Sequence, residues 1–333
     1  MSATTTRHLG RSAHLVANGP RRLRVGLLLL TSLLCVCSLG PWWAADPSAI
    51  LDPRVAALLP PGTSRIVVER RDGSTLAAES IRRDGDVVVA LRGGAEERLD
   101  ASEIAAIRET SYWLGTDTLG RDVLARLLHG GRVSLAVGAL ALFVAVFVGV
   151  AVGMAAGLAG RTVDAVLMRL VDALLAVPML FLLILLAALF RPSVFTLVAV
   201  LGFSSWMGVA RLVRGQVLSL KSRDFVLGAR AIGCGPLRIA VVHLLPNVTT
   251  PLAQDAALRL GDLILVEAAL SFLGLGVQPP LASWGGMVAQ GEELVMGGWW
   301  VSLFPGACIA ATVVAAALIA DGLGDLARAQ RHA

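Results

Sequence analysis

Four ionisable side chains, Asp255, Arg259, Asp262 and Glu267, interrupt an otherwise apolar stretch at 248–276. Asp255, Arg259 and Asp262 stand at i, i+4 and i+7, so a helix there carries them on one face. Ionisable groups inside a membrane are costly and either pair with one another or face water. The trio therefore fits one of two roles: lining a polar path for a solute, or forming a structural ion-pair cluster. Arg169 and Asp172, three apart, read as a local pair. No Ser/His/Asp constellation, metal-ligand spacing or P-loop glycine pattern occurs. The sequence thus offers no catalytic residue, no cofactor site and no metal site. Cys35, Cys37, Cys234 and Cys308 read as small apolar packers.

The elements that must carry these charges follow from composition. The 333 residues are 56% hydrophobic and 16% charged, with a mean hydropathy of +0.74. A soluble domain holds about 25% charged residues, so the chain reads as a polytopic membrane protein. Net charge is +5, from 29 basic and 24 acidic residues. The arginines flank apolar runs rather than forming one stripe, which argues against nucleic-acid binding. Apolar stretches long enough to span a bilayer, about 20 residues each, fall at 25–45, 134–160, 173–190, 193–210, 248–276 and 294–320. The first reads as an uncleaved span, and Pro178 as a kink in the third. Arg7, Arg11, Arg21, Arg22 and Arg24 precede the first span. Arg161 and Arg169 follow the second, and Arg211, Arg214, Lys221, Arg223, Arg230 and Arg238 follow the fourth. Between the third and fourth stands only Arg191, and between the fifth and sixth lie Glu292 and Glu293 with no base. Six spans with both termini cytoplasmic satisfy this positive-inside pattern.

The expected fold is all-α and polytopic, six transmembrane helices with a small β-rich extracytoplasmic insertion. Residues 1–24 form a cytoplasmic tail, 25–45 the first span, 46–111 the extracytoplasmic segment, 112–326 the main membrane domain and 327–333 a second cytoplasmic tail. Asp72-Gly73 and Asp84-Gly85 separate runs of β character, as in hairpin turns, and predict a β-meander over 63–100. Farther on, Asp117 or Thr118 can cap a helix. Val123, Leu124, Leu127 and Leu128 would form its apolar stripe, with Arg121, Asp122 and Arg126 towards water.

Residues 221–247 interrupt the spans. Ser222 can cap a short helix over 223–232, and Gly233 suits its C-terminus. Pro236 suits the first turn of a second short helix, which Pro246 ends. Neither is long enough to be stable alone, so each must dock on something. Asn247-Val248-Thr249 has the form of a glycosylation sequon, but on the cytoplasmic side.

GARAIGCGPLRIAVVHLLPN resembles the cytoplasmic coupling loop of permeases of binding-protein-dependent ABC importers. The family pattern is Glu-Ala-Ala, three residues, Gly, then a second short helix ending in Leu-Pro. Ala229, Gly233, Leu245 and Pro246 fall on it, and His243 and Asn247 resemble the ending of its peptide branch. The acidic position and the next are Leu227 and Gly228 here, a departure from the pattern. WLGTDTLGRDVLARLLHGGRVSLAVG, EAALSFLGLGVQPPLASWGGM and FPGACIAATVVAAALIADGLGD are similar to the second permease subunit of the dipeptide, oligopeptide and nickel branch. The resemblance covers about 112–326. It implies a non-enzymatic subunit of the cell membrane that moves peptides, or a small solute such as a nickel chelate, inward by alternating access. It implies a second permease as heterodimer partner, two cytoplasmic ATP-binding subunits, an extracytoplasmic substrate-binding protein and surrounding lipid. An ion-coupled secondary transporter or channel is the competing class, but no matching inverted half appears.

Overall fold

The computed structural model describes residues 20–332 apart from 52, 191, 192 and 295. Arg7, Arg11 and Arg191 lie outside the described residues. The helices are α1 (Arg21–Leu39), α2 (Pro53–Ala56), α3 (Val123–Leu158), α4 (Arg161–Leu175), α5 (Met179–Leu189), α6 (Val194–Leu220), α7 (Asp224–Ala231), α8 (Pro236–Arg238), α9 (Leu245–Phe272), α10 (Trp284–Gly291) and α11 (Trp300–His332). Among the described residues, four helical stretches are long and apolar enough to cross a membrane: Arg21–Trp42, Val123–Leu158, Val194–Leu220 and Trp300–Ala329. The other two expected spans have a different form. Around Pro178 the chain leaves the helix, so 173–190 is divided between α4 and α5, as a ring without an N–H dictates. The fifth, α9, is long enough at 28 residues but carries Asp255, Arg259, Asp262 and Glu267.

The chain forms two compact units. One takes residues up to Leu33, Leu135–Leu270 and those from Ile309. In it, glycines let helices approach closely. On α3, Gly149, Gly153 and Gly157 face Val209, Val213 and Val217 of α6. A Cβ on these glycines would lie 2.5 Å from Val209 Cβ, 2.8 Å from Val213 Cβ and 2.5 Å from a Val217 methyl. This is small-residue packing at a spacing of four. Similarly, Gly322 of α11 lies against Leu23 of α1, and Arg22 pairs with Asp321 at 3.4 Å.

The other unit takes Leu34–Ser134 and Ser271–Cys308. Among the described residues it contains six strands: β1 (Thr63–Arg70), β2 (Thr75–Ala78), β3 (Ser80–Asp84), β4 (Val87–Arg92), β5 (Ala95–Asp100) and β6 (Ile104–Tyr112). They form two antiparallel sheets, ordered β2-β1-β6 and β3-β4-β5. The strands extend past 100, because β6 returns to pair with β1 from Thr63↔Tyr112 to Arg70↔Ile104. At the first turn, Asp72 Oδ1 accepts from Ser74 N–H (2.8 Å) and Oγ (2.7 Å), and Gly73 takes φ +84°. Val68, Leu76, Ala78, Val88, Ala90 and Leu99 form the core shared by the two sheets. Leu99→Ala is expected to cost about 2–5 kcal/mol, the usual range for such core truncations. Limited proteolysis of the whole chain on heating, with cuts mapped to 63–112, checks this.

Candidate functional site

The interruption at 221–247 is built by local turn chemistry. α7 starts after Arg223, whose backbone is extended. Ser222 is not the cap; its hydroxyl donates to Ser219 C=O at 3.3 Å. Asp224 in the first turn complements the helix dipole. At the far end, Gly233 N–H bonds Arg230 C=O (2.9 Å) and Cys234 N–H bonds Ala229 C=O (3.0 Å). With Gly233 at φ +85°, this is a Schellman motif. Pro236 occupies the first turn of α8, as expected.

Pro246 does not end the second helix. The chain runs from α8 through a π-helical segment, Ile239–Leu244, straight into α9. A proline in regular α-helix clashes with the carbonyl four residues back. The wider turn ahead of Pro246 shifts that carbonyl and lets the helix continue. Asn247 Nδ2 donates to His243 C=O at 2.7 Å, adding a bond where the ladder changes register.

Burial divides this segment in two. Val226, Ala229, Ile239 and Leu244 enter one core with Val209, Val213 and Val217 of α6 and Val248 and Leu252 of α9. Opposite them, Phe225, Leu227, Ile232, Leu237, Val241 and Val242 are exposed, Ile232 at 82% and Leu237 at 77%. Of the residues singled out by sequence, Ala229 is buried and His243 and Leu245 are half-buried. Leu227, Gly228, Gly233, Pro246 and Asn247 are exposed. Lys221 Nζ reaches back to Gly157 C=O, at 3.2 Å, in the last turn of α3. The glycine row 149, 153, 157 is the element that sequence reading missed; its spacing of four was the available signal.

The ionisable trio is brought together only in part. Arg259 binds Asp255 through Nε and donates from Nη1 to Ser205 C=O of α6 at 3.3 Å. Gly208 leaves room for the guanidinium, since a Cβ there would lie 2.4 Å from Nη2. Asp262 is exposed. Arg169 and Asp172 are not a local pair. Asp172 instead takes Arg211 of α6 at 2.5 Å, and Asp164 takes Arg214 at 2.9 and 2.5 Å. α6 carries both arginines on the side facing α4, and an interhelical contact replaces the i,i+3 one.

In the other unit, the expected cap and exposures change. Asp122, not Asp117, accepts from the first turn of α3, at Leu124 N–H (2.9 Å). Arg126 is buried, not exposed. It reaches Asp117 Oδ2 and Gln290 Oε1, the latter at 2.7 Å. Asp117 also takes Arg121 Nε at 2.7 Å and the backbone N–H groups of Leu119 and Arg121. A buried guanidinium needs this many partners. Burial raises the Asp122 carboxyl above its ordinary range, against the N–H groups of Leu124 and Ala125.

Gly233→Ala is expected to destabilise the turn by about 1–2 kcal/mol, the cost of left-handed backbone without glycine. Faster hydrogen exchange at Ile232–Cys234 checks it. Because the Asp122 pKa is raised on folding, its contribution is fullest below the unfolded carboxyl pKa and is lost as pH rises through the folded one. Asp122→Asn keeps an acceptor for Leu124 and removes the buried charge. Its melting temperature is expected to exceed the parent's at neutral pH, with the gap closing towards about pH 4.

Comparison with known proteins places these features in a family. Residues 149–329 match the family described as binding-protein-dependent transport system inner membrane component. The oligopeptide transport system permease protein OppC of Escherichia coli (strain K12) is 44% identical over 217 residues, 65% of this chain and 72% of that protein. The dipeptide transport system permease protein DppC of Bacillus subtilis (strain 168) is 40% identical over 215 residues, 64% of this chain and 67% of that protein. A solved structure of inward facing conformations of the MetNI methionine ABC transporter aligns with 60% of this chain and 96% of its own, at 18% identity and a TM-score of 0.49. With more than half of its length matched to one family, the chain belongs to the inner membrane components of binding-protein-dependent transport systems.

Proposed function

We propose that the chain is a transmembrane permease subunit of an ATP-driven importer and carries peptides inward by alternating access. The observation that carries this reading is the two-sided coupling segment. One side of α7 and the Pro236–Leu244 turn is packed into the α6 and α9 core, and the other offers bare apolar side chains. A rigid segment anchored between two helices passes on a push from a docked partner better than a loop does. The names of the relatives, oligopeptide and dipeptide permeases, support a peptide cargo; a small solute such as a nickel chelate fits the same architecture.

In this reading the chain itself hydrolyses nothing. Two cytoplasmic ATP-binding subunits dock at 221–247 through the surface of Phe225, Leu227, Ile232 and Leu237. A second permease completes a heterodimeric pore, and an extracytoplasmic binding protein delivers cargo. The six spans are α1, α3, the broken α4–α5, α6, α9 and α11, with both tails cytoplasmic and 46–111 extracytoplasmic. Asp255 and Arg259 brace α9 against α6, and Asp262 faces the path. The loss of the family's acidic residue at Leu227 makes the docking contact apolar, and the partner groove is expected to match.

Leu237→Asp places a charge in this surface. ATPase recovered with the tagged chain is expected to fall about tenfold or more, the scale of losing one interface anchor. Native recovery of the ATPase, at an unchanged membrane level of the chain, would overturn the docking assignment.

A further inference from the structure

A cavity of about 330 Å³ lies between the C-terminal end of α6, the first turns of α9 and the end of α11. It is lined by Gln216, Leu220, Asn247, Thr250, Pro251, Gln254 and Ala327. Asn247, Thr250 and Gln254 stand at i, i+3 and i+7, so one face of α9 supplies three polar groups. Among the described residues, the side chains of Gln216, Thr250 and Gln254 make no hydrogen bond. Gly324 of α11 lies directly behind Gln254: a Cβ there would come 2.9 Å from Nε2. The Gln254 amide thus packs against the backbone of α11.

The lining has three carboxamides and a hydroxyl over an apolar floor, and neither acid nor base. The adjacent bases are engaged elsewhere: Lys221 with Gly157 C=O at 3.2 Å, and Arg328 with Asp325 at 2.6 Å. A phosphate, nucleotide or metal ion would find no countercharge here. Each carboxamide carries an acceptor and an NH₂ group, that of Asn247 already giving one N–H to His243 C=O, and together they complement a peptide main chain. The volume falls at the small end of ligand sites and suits two or three residues. Asn247 and Thr250 are exposed, so the mouth is open and can leave charged peptide ends in water.

We propose that this cavity binds the main-chain amides of a short peptide reaching it from the cytoplasm, and that occupancy slows import. The inference rests on the peptide-importer reading and its topology. The coupling segment joins α6 to α9, and a ligand held by both, and by α11, favours one arrangement of those helices over the other. Accumulated product would then restrain the transporter that delivers it.

The test uses the complete importer in proteoliposomes, binding protein outside and ATP inside. Vesicles are preloaded with blocked trialanine (N-acetyl, C-amide) or left empty, and the initial uptake of labelled trialanine is compared. Preloading is expected to slow uptake by about fivefold or more, the low end of coupling between two sites. Gln254→Leu should bring the preloaded-to-empty ratio back towards one, and so should Thr250→Val, a milder change available if the first fails to assemble. Binding of a fluorescent blocked tripeptide to the purified complex without binding protein should weaken in parallel. If empty vesicles import peptide and preloading changes nothing, or slows the variants equally, the site is refuted and the importer reading stands. If empty vesicles import no peptide, the importer reading fails and the site falls with it.

Discussion

α3 and α6 meet backbone against side chain along a row of glycines, and much else depends on that contact. Gly149, Gly153 and Gly157 leave no side chain between the α3 backbone and the valines of α6. Those same valines, 209, 213 and 217, are also the floor on which Val226, Ala229, Ile239 and Leu244 pack. One row of side chains therefore touches α3 on one side and the 221–247 segment on the other. β-Branched side chains suit this role, because they lose little rotamer freedom when pinned on both sides. The ion pairs from Asp164 and Asp172 to Arg214 and Arg211 attach α4 to the same helix. α6 is thus the common support of α3, α4 and the interruption.

What was legible in the sequence was local. Gly233 and Pro236 announced a turn because each residue type is suited to one backbone position, and both occupy it. Pro178 announced a break for the same reason. Where the outcome depended on residues distant in the chain, the reading failed. Arg126 looked solvent-facing on a helical wheel, but its partners are Asp117, across a loop, and Gln290, 164 positions away. Asp172 is three residues from Arg169 but pairs with Arg211, 39 positions on. Pro246 was read as a helix stop because a π-turn is not a default expectation; only the packing of Ile239 and Leu244 shows that the helix has somewhere to go. β6 was overlooked because Ile104–Tyr112 lacks strong alternation and is fixed by its pairing with β1.

The six strands lie outside the stretch matched to the family, 149–329. Their sheets share a core of their own, Val68 through Leu99, and two of their connections are closed by side chains within the turn, at Asp72 and Asp100. The membrane unit differs. Its apolar helices are uniform in composition, and specificity lies in the few small or charged residues that set which helix meets which.

Lys221 has a further consequence for anyone handling the protein. It is the only lysine in the chain, and its ammonium reaches the last turn of α3. Any amine-directed dye, cross-linker or biotin reagent therefore has a single side-chain address, where α3 and α6 meet the 221–247 segment. A label placed there reports from that junction, and its attachment removes a cation that complements the negative end of α3.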